Sequence, residues 1–175
     1  HEMADAAALD LVSKRLVTDQ LVLTIGYDTE SLTNPTIRAQ YNGPVTTDYY
    51  GREVPKHAHG TANLGKLTAS SKLITEAVME LFDRIVHPDL LIRRLNLTTN
   101  HIVSEEKAQK DKNAPVQLEL FTDYEELERQ KEAEEASLAK ERRMQEALLD
   151  IKQRFGKNAI LKGLNFDEGA TAVER

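Results

Sequence analysis

The apolar positions of the first hundred residues follow the periods of helices and strands. Between residues 3 and 17 they recur at helical spacing, which predicts a helix. In LVLTIGYD, residues 21–28, apolar side chains alternate with polar or small ones, which is the pattern of a half-buried strand. Helical spacing returns after Ser70 and Ser71, either of which can cap a second helix with one apolar face.

Two further segments have the pattern of extended chain. Residues 53–68 predict a polar second strand, and LLIRRLNLTTN, residues 90–100, predicts a third. Residues 29–52 are rich in Thr, Asn, Pro and Gly and predict a long loop, with a small hairpin of its own as one option. Together these elements predict an α+β fold over residues 2–102, in which an antiparallel sheet carries both helices on one face.

The chain changes character beyond this predicted domain. Residues 103–122 predict a flexible linker that contains the apolar motif QLELF. Residues 123–155 predict one long charged helix with almost no apolar stripe in its middle, ended by Gly156 as C-cap and followed by a tail over 156–175. Only the end of this helix has apolar residues that could pack on something: Leu148, Ile151 and Phe155.

The amino-acid composition limits which cellular compartment and which binding partners are expected. The net charge of −6 argues against binding of nucleic acid by the whole surface, but it leaves room for a local basic face. There are no cysteines, so disulfides and thiolate metal sites are excluded, and the cytoplasm is the simplest compartment. No apolar run approaches the roughly 20 residues that span a bilayer, so no membrane partner is expected.

Catalytic motifs are missing from the sequence. We find no glycine-rich phosphate loop and no nucleophile elbow, so no catalytic residue is predicted. His57 and His59 lie two positions apart, which on a strand directs both imidazoles to one face and suits metal ligation. No nearby residue is an evident third metal ligand, so surface histidines without metal are favoured over a small metalloenzyme.

The predicted strands place polar residues on the sheet face that the helices leave open. This set comprises Thr24 on the first strand, His57, His59, Thr61 and Asn63 on the second, and Arg94, Asn96 and Thr98 on the third. Strict alternation puts Arg93 on the side of the buried leucines, so we expect it at the start of the strand, beyond the core edge. Such a face suits a nucleic-acid backbone read through its phosphates. The alternative is an ordinary antiparallel sheet with one wet face.

Several segments, in order, resemble a known family. KHAHGTANLGKLTASSKLITEAVMELFDRI followed by LLIRRLNLTTN is similar to the C-terminal DNA-binding domain, the little finger, of Y-family translesion DNA polymerases of the UmuC/DinB type. DIKQRFGKNAILKG and FDEGATAVER resemble the tail of Gram-positive members. The resemblance covers nearly the whole chain except residues 29–52.

This resemblance implies an open sheet face that rides on the primer–template duplex. Arg93 and Arg94 match a family pair that contacts the DNA backbone, whereas Thr98 stands where some members have another arginine. The catalytic palm, whose carboxylates bind Mg in the parent enzyme, is not in this chain. No polymerase catalytic residue or cofactor is therefore carried over, and the expected location is the cytoplasm, in association with the nucleoid.

The family also implies a strand ahead of the helix at residues 3–17, and its tail normally runs past Arg175, so the chain resembles a piece cut at both ends. We therefore expect an exposed sheet edge that pairs with a second copy as a homodimer, with the loop at 29–52, or with the tail.

The QLELF motif has its own counterpart in the family. Gln117, Leu118, Leu120 and Phe121 match the peptide that binds the sliding clamp. A short tethered peptide of this kind inserts apolar side chains into a preformed cleft, although the same residues could instead fold back on their own domain. The resulting hypothesis is a DNA-binding and clamp-binding C-terminal fragment of a translesion polymerase in DNA repair and damage tolerance. The alternative is a non-catalytic α+β protein-interaction module without a DNA role.

Overall fold

The computed structural model describes residues 1–112, 124–156 and 158–166. The elements in chain order are α1 (Glu2–Ser13), β1 (Leu16–Tyr27), α2 (Glu30–Thr33), α3 (Pro35–Gln40), β2 (Val45–Thr47), β3 (Glu53–Pro55), β4 (Ala58–Thr68), α4 (Ser71–Ile85), β5 (Ile92–Asn100), β6 (Val103–Ser104), α5 (Glu105–Lys112), α6 (Tyr124–Phe155) and a final 3₁₀ turn (Gly163–Phe166). Helices and an antiparallel sheet are thus combined as the sequence predicts, and the α+β fold is confirmed.

The sheet is built around β1. This strand pairs antiparallel with β4 on one side and with β5 on the other, and its first two residues pair with β6. Leu21, Leu23, Ile25 and Tyr27 are buried on one face, while the residues between them are half-buried on the other. The alternation read from the sequence is therefore the alternation between a helix-covered face and an open face.

The helices α1 and α4 cover the buried face. Apolar residues of α1, β1 and α4 form one core cluster, and a second cluster at the far end of β1 includes Tyr27, Tyr41 and Leu90. Gly60 on β4 lets α4 come close, because a Cβ at this position would lie 2.7 Å from the Leu81 Cδ1 atom. Ser70 caps α4 by accepting a hydrogen bond from the Leu73 amide at 3.2 Å, as its sequence position predicts.

The predicted helix at 3–17 is wrong at its C-terminal end. The helix stops at Ser13, and Arg15 adopts a left-handed backbone with φ 53°. Leu16 and Val17 then belong to β1, where they pair with β6, a partner more than eighty residues away in the chain. Their apolar spacing fits a helix locally, but strand pairing decides their conformation.

Two further predictions about the segment before α4 need correction. The single strand predicted over 53–68 is divided into β3 and β4. The segment 29–52 does not form a hairpin of its own, because β2 pairs with β3 at 53–55, and the short helices α2 and α3 were missed. The start of α3 does have a local signal, because Asn34 accepts a hydrogen bond from the Thr36 amide and Pro35 occupies the first turn.

The linker predicted from residue 103 onward is also wrong over its first part. Residues 103–112 instead form β6 and α5, and Ala108 of α5 joins the core cluster of α1 and β1. The rest of that linker, residues 113–122 with the QLELF motif, lies outside the described residues.

The long helix is confirmed over Tyr124–Phe155, but its middle packs on the domain. The Gln145 side chain is only 3% exposed and donates hydrogen bonds to the Ala69 carbonyl and the Ser71 hydroxyl, each at 3.0 Å. Leu149 packs against the core, whereas Phe155, expected to pack, is 76% exposed. The helix is thus attached mainly through polar side chains, which a search for apolar stripes does not detect.

Two remaining expectations concern surfaces. Within the described residues, β4 and β5 each pair with β1 alone along their length, so both outer edges of the sheet stay unpaired. The segment 29–52 does not supply an edge strand, because β2 and β3 pair with each other. Among the described helices, none is both long enough and apolar enough to cross a membrane.

Candidate nucleic-acid interface

The strand register brings the predicted polar residues together on the open face. Directly opposite residues on paired antiparallel strands point to the same side. Three rows that cross β4, β1 and β5 follow from this register: Asn63–Gln20–Asn100, Thr61–Val22–Thr98 and His59–Thr24–Asn96. A fourth row joins Gly26 to Arg94. All the predicted residues that lie on strands, except Arg93, therefore share this one face.

Three members of the face were missed by the sequence reading: Gln20, Val22 and Asn100. Gln20 links the three strands, because its amide donates to Asn63 Oδ1 at 3.0 Å and accepts from Asn100 Nδ2 at 3.2 Å. Val22 and Asn100 lie inside the predicted strands and follow their alternation, and extending the first strand by one residue would have added Gln20. Gln20, Asn63 and Asn100 therefore form a hydrogen-bonded row of amides across the open face, at the end remote from the arginines.

His57 and His59 do not form a paired metal site. His57 precedes β4 and is exposed, while His59 lies on the strand with its Nδ1 atom 3.0 Å from the Thr24 hydroxyl. Among the residues that the structure describes, no group of three or more His, Cys, Asp or Glu side chains could hold a metal ion. The metalloenzyme hypothesis therefore finds no support in this part of the chain.

Arg94 occupies the open face at the end of β1. Its partner across the strands is Gly26, which has no side chain, so the space above that position is left to the arginine. Within the described residues the Arg94 guanidinium has no ion pair or hydrogen bond, and the residue is exposed. A permanently charged fork of donors is thus available to a ligand with phosphate oxygens.

Arg93 is placed differently from Arg94, although the two are neighbours. The register of β1 and β5 shifts between Gly26 and Tyr27, and Arg93 is the extra residue of this bulge. Its side chain is 59% exposed and forms an ion pair with Asp28 at 2.9 Å. The expectation that Arg93 sits beyond the core edge is confirmed, and the bulge explains why strict alternation failed there.

Asp28, which follows β1, connects the end of that strand to Glu30 of α2 and to Arg93 of β5. Its carboxylate accepts hydrogen bonds from the Glu30 amide at 3.0 Å and from the Arg93 guanidinium. The Glu30 amide first, and then Arg93, lower the pKa of Asp28 below its ordinary value. Asp28 is therefore ionised at neutral pH and partly neutralises Arg93, which leaves Arg94 as the stronger anion-binding group of the pair.

The fold and the site define a class: an α+β domain whose antiparallel sheet is covered by helices on one face and is open, polar and locally cationic on the other. The model of the impB/mucB/samB family C-terminal domain matches residues 1–112, well over half of the chain. The chain therefore belongs to this family, whose domain is the C-terminal, little-finger region of Y-family polymerases. Among curated proteins and among solved structures, none matches the chain.

Proposed function

We propose that the chain is the DNA-binding and sliding-clamp-binding C-terminal part of a translesion DNA polymerase from a Gram-positive bacterium. It acts in the cytoplasm, at the nucleoid, in DNA repair and damage tolerance. The observation that carries the DNA-binding half is the Arg94 guanidinium on the open sheet face, which has no partner among the described residues, with Arg93 next to it. Family membership supports the same assignment.

The geometry of the face suits the backbone of a duplex rather than its base sequence. Cations at one end attract phosphates, and the hydroxyl and amide groups of the crossing rows add neutral donors for phosphate and sugar oxygens. Small residues such as Gly26 and Thr24 allow close approach. A domain of this kind holds the duplex in position without selecting a sequence, and the chemistry belongs to the Mg-dependent palm of the parent enzyme.

Titration with unrelated duplexes at several salt concentrations tests the DNA-binding half. Phosphate contacts release counterions, so replacing both Arg93 and Arg94 with Ala should weaken binding to all duplexes and reduce the salt slope by about one to two, since Asp28 partly neutralises Arg93. Each arginine is also replaced singly, and Arg154→Ala on α6, which removes one positive charge from an ion pair with Asp150, is the matched control for the single substitutions. A salt slope unchanged by the double substitution would contradict the DNA-binding face.

The clamp-binding half rests on the motif Gln117, Leu118, Leu120 and Phe121, which lies between α5 and α6. Both flanking helices are attached to the same domain, and Glu105 of α5 pairs with Arg142 of α6 at 2.6 Å. A motif between two helices of the same domain is tethered to that domain, so clamp binding by the motif would raise the local concentration of the polymerase at a clamp-bound primer. Binding of the whole chain to a purified bacterial sliding clamp, measured by calorimetry, tests this half independently.

The alternative, a protein-interaction module without a DNA role, predicts a different result from the same titration. A protein-interaction module without a DNA role would not bind the duplexes even at low salt. No contact in the described residues favours this alternative, and the open cation at Arg94 argues against it.

A further inference from the structure

The hairpin formed by β2 and β3 presents two tyrosines at its tip. Tyr49 is 96% exposed and Tyr50 is 77% exposed. Their rings are nearly perpendicular, with an interplanar angle of 86° and centroids 5.4 Å apart. Large exposed aromatic surfaces are typical of interaction sites, and neither ring contributes to the core.

Asp48 holds the loop that carries these rings. Its Oδ1 atom accepts hydrogen bonds from the Tyr50 and Arg52 amides, both at 2.9 Å, and its Oδ2 atom accepts two from the Arg52 guanidinium, at 2.7 and 2.9 Å. Gly51, with φ +77°, supplies the left-handed residue that the turn needs. The loop is therefore preorganised, so a ligand that binds there loses little free energy to ordering it.

The two rings differ in what already covers them. The Arg52 guanidinium lies 5.2 Å from the centroid of the Tyr50 ring, so one face of that ring is in a cation–π contact. No cation covers Tyr49 within the described part of the chain. Tyr49 is therefore the ring that offers a face to a ligand, and Tyr50 with Arg52 forms its rigid support.

The tip lies at the same end of the sheet as the two arginines of β5. The strand β3 leads into β4 after two residues, and β4 begins opposite the end of β1, where Arg94 pairs with Gly26. Asp28, which bonds Arg93 at 2.9 Å, is also close enough to act electrostatically on Arg52. The hairpin that carries the aromatic tip therefore lies at the end of the sheet where the two arginines are found.

We propose that the tip formed by Tyr49 and Tyr50 stacks on an unpaired base of single-stranded DNA that extends from the duplex on the open face. The inference rests on the DNA-binding function proposed above and adds a second contact of different chemistry. Aromatic rings beside cations are the usual device for single-stranded nucleic acid, because every base has a π-face while the phosphates need positive charge. A paired base inside the duplex has no free face for Tyr49, whereas a base in an overhang has one.

The test compares three probes of equal duplex length with the whole chain: a blunt duplex, a duplex with a single-stranded overhang, and the same overhang without bases. The abasic overhang keeps the phosphates, so the difference between the two overhangs measures stacking alone. We expect the overhang with bases to bind about five- to tenfold more tightly than the abasic one. Tyr49→Ala should abolish this difference, and Tyr49→Phe, which keeps the ring, should retain it.

Two controls separate stacking from unfolding and from general aromatic effects. Tyr49→Ala should melt at the same temperature as the unsubstituted protein, because the side chain lies outside the core. Phe155→Ala removes another exposed ring, 76% exposed, from the end of α6 and should leave the difference between overhangs unchanged.

The outcomes distinguish this inference from the proposed function. If the blunt duplex binds with the expected salt dependence but the two overhangs bind equally, or if Tyr49→Ala keeps the difference, the stacking site is refuted and the DNA-binding face stands. If no probe binds at any salt concentration, the DNA-binding function itself fails.

Discussion

Glu141 of α6 accepts a hydrogen bond from the backbone amide of Lys72, in the first turn of α4, at 2.9 Å. Its other carboxylate oxygen accepts from the Ser70 hydroxyl at 2.6 Å, and Ser70 in turn caps α4. A carboxylate from a distant helix thus completes the N-terminal cap of α4, where free amides and the helix dipole favour negative charge. The same contact fixes α6 to the domain.

We expect Glu141→Ala to lower the free energy of unfolding by about 1–2 kcal/mol, because the half-buried cap of α4 loses an acceptor. Urea denaturation of the whole chain measures this. Glu132→Ala removes the same charge from an exposed position of α6 and should change the free energy by less than about 0.5 kcal/mol. Equal effects of the two substitutions would mean that the cap contributes nothing.

A second prediction concerns the close approach of α4 to β4. A methyl group at Gly60 would lie 2.7 Å from Leu81 Cδ1 and 3.0 Å from Ile85 Cγ2, so Gly60→Ala should destabilise the fold by about 1–3 kcal/mol. Gly26→Ala is the matched control on the open face, where the nearest atom would be at an ordinary 3.7 Å. Thermal denaturation should show a drop for the first variant and almost none for the second.

The lowered pKa of Asp28 predicts that the stability of the fold depends on pH. Because the folded pKa lies below the unfolded value near 3.8, the carboxylate stabilises the fold above that value and loses its effect as pH falls through the folded pKa. The difference in unfolding free energy between the unsubstituted protein and Asp28→Asn should be constant near neutral pH and shrink below about pH 4.

Urea titrations at several pH values measure this difference, with Asp83→Asn as the control, since Asp83 is exposed on α4. The same Asp28→Asn variant should bind duplex DNA more tightly, because Arg93 loses its internal partner. If the difference in unfolding free energy between the unsubstituted protein and Asp28→Asn grew as the pH falls, the hydrogen bonds of Asp28 could not belong to its ionised carboxylate.

The QLELF motif gives a fourth prediction. Replacing Leu120 and Phe121 with Ala should abolish clamp binding, since each side chain in an apolar pocket contributes roughly 1.5–3 kcal/mol. The melting temperature should stay almost unchanged, because we expect both residues to lie outside the core. A large drop in melting temperature would mean that the motif packs against its own domain.

The outer edges of β4 and β5, which no described strand covers, give a fifth prediction. Exposed backbone donors and acceptors attract a further strand, so we expect the protein to self-associate as its concentration rises. Sedimentation velocity over a range of concentrations measures this directly. A single monomeric species at every concentration would refute the homodimer.

The sequence alone determined the elements whose signals are local. Neighbouring residues in the sequence determine the alternation in β1, the Ser70 cap of α4, the length of α6 and its end before Gly156. The same local signals predicted most residues of the open face. Local signals suffice there because a strand of period two must separate its side chains into two faces wherever it is placed.

Tertiary structure alone decided what depends on residues far apart in the chain. Leu16 and Val17 became strand because β6 pairs with them, and the bulge at Arg93 arose from the register of β1 and β5. The attachment of α6 through Glu141 and Gln145 was invisible in the sequence, because polar residues on a charged helix have the same pattern whether they face water or a helix end. Their role exists only once the amides of α4 and the carbonyl of Ala69 are brought within hydrogen-bond distance.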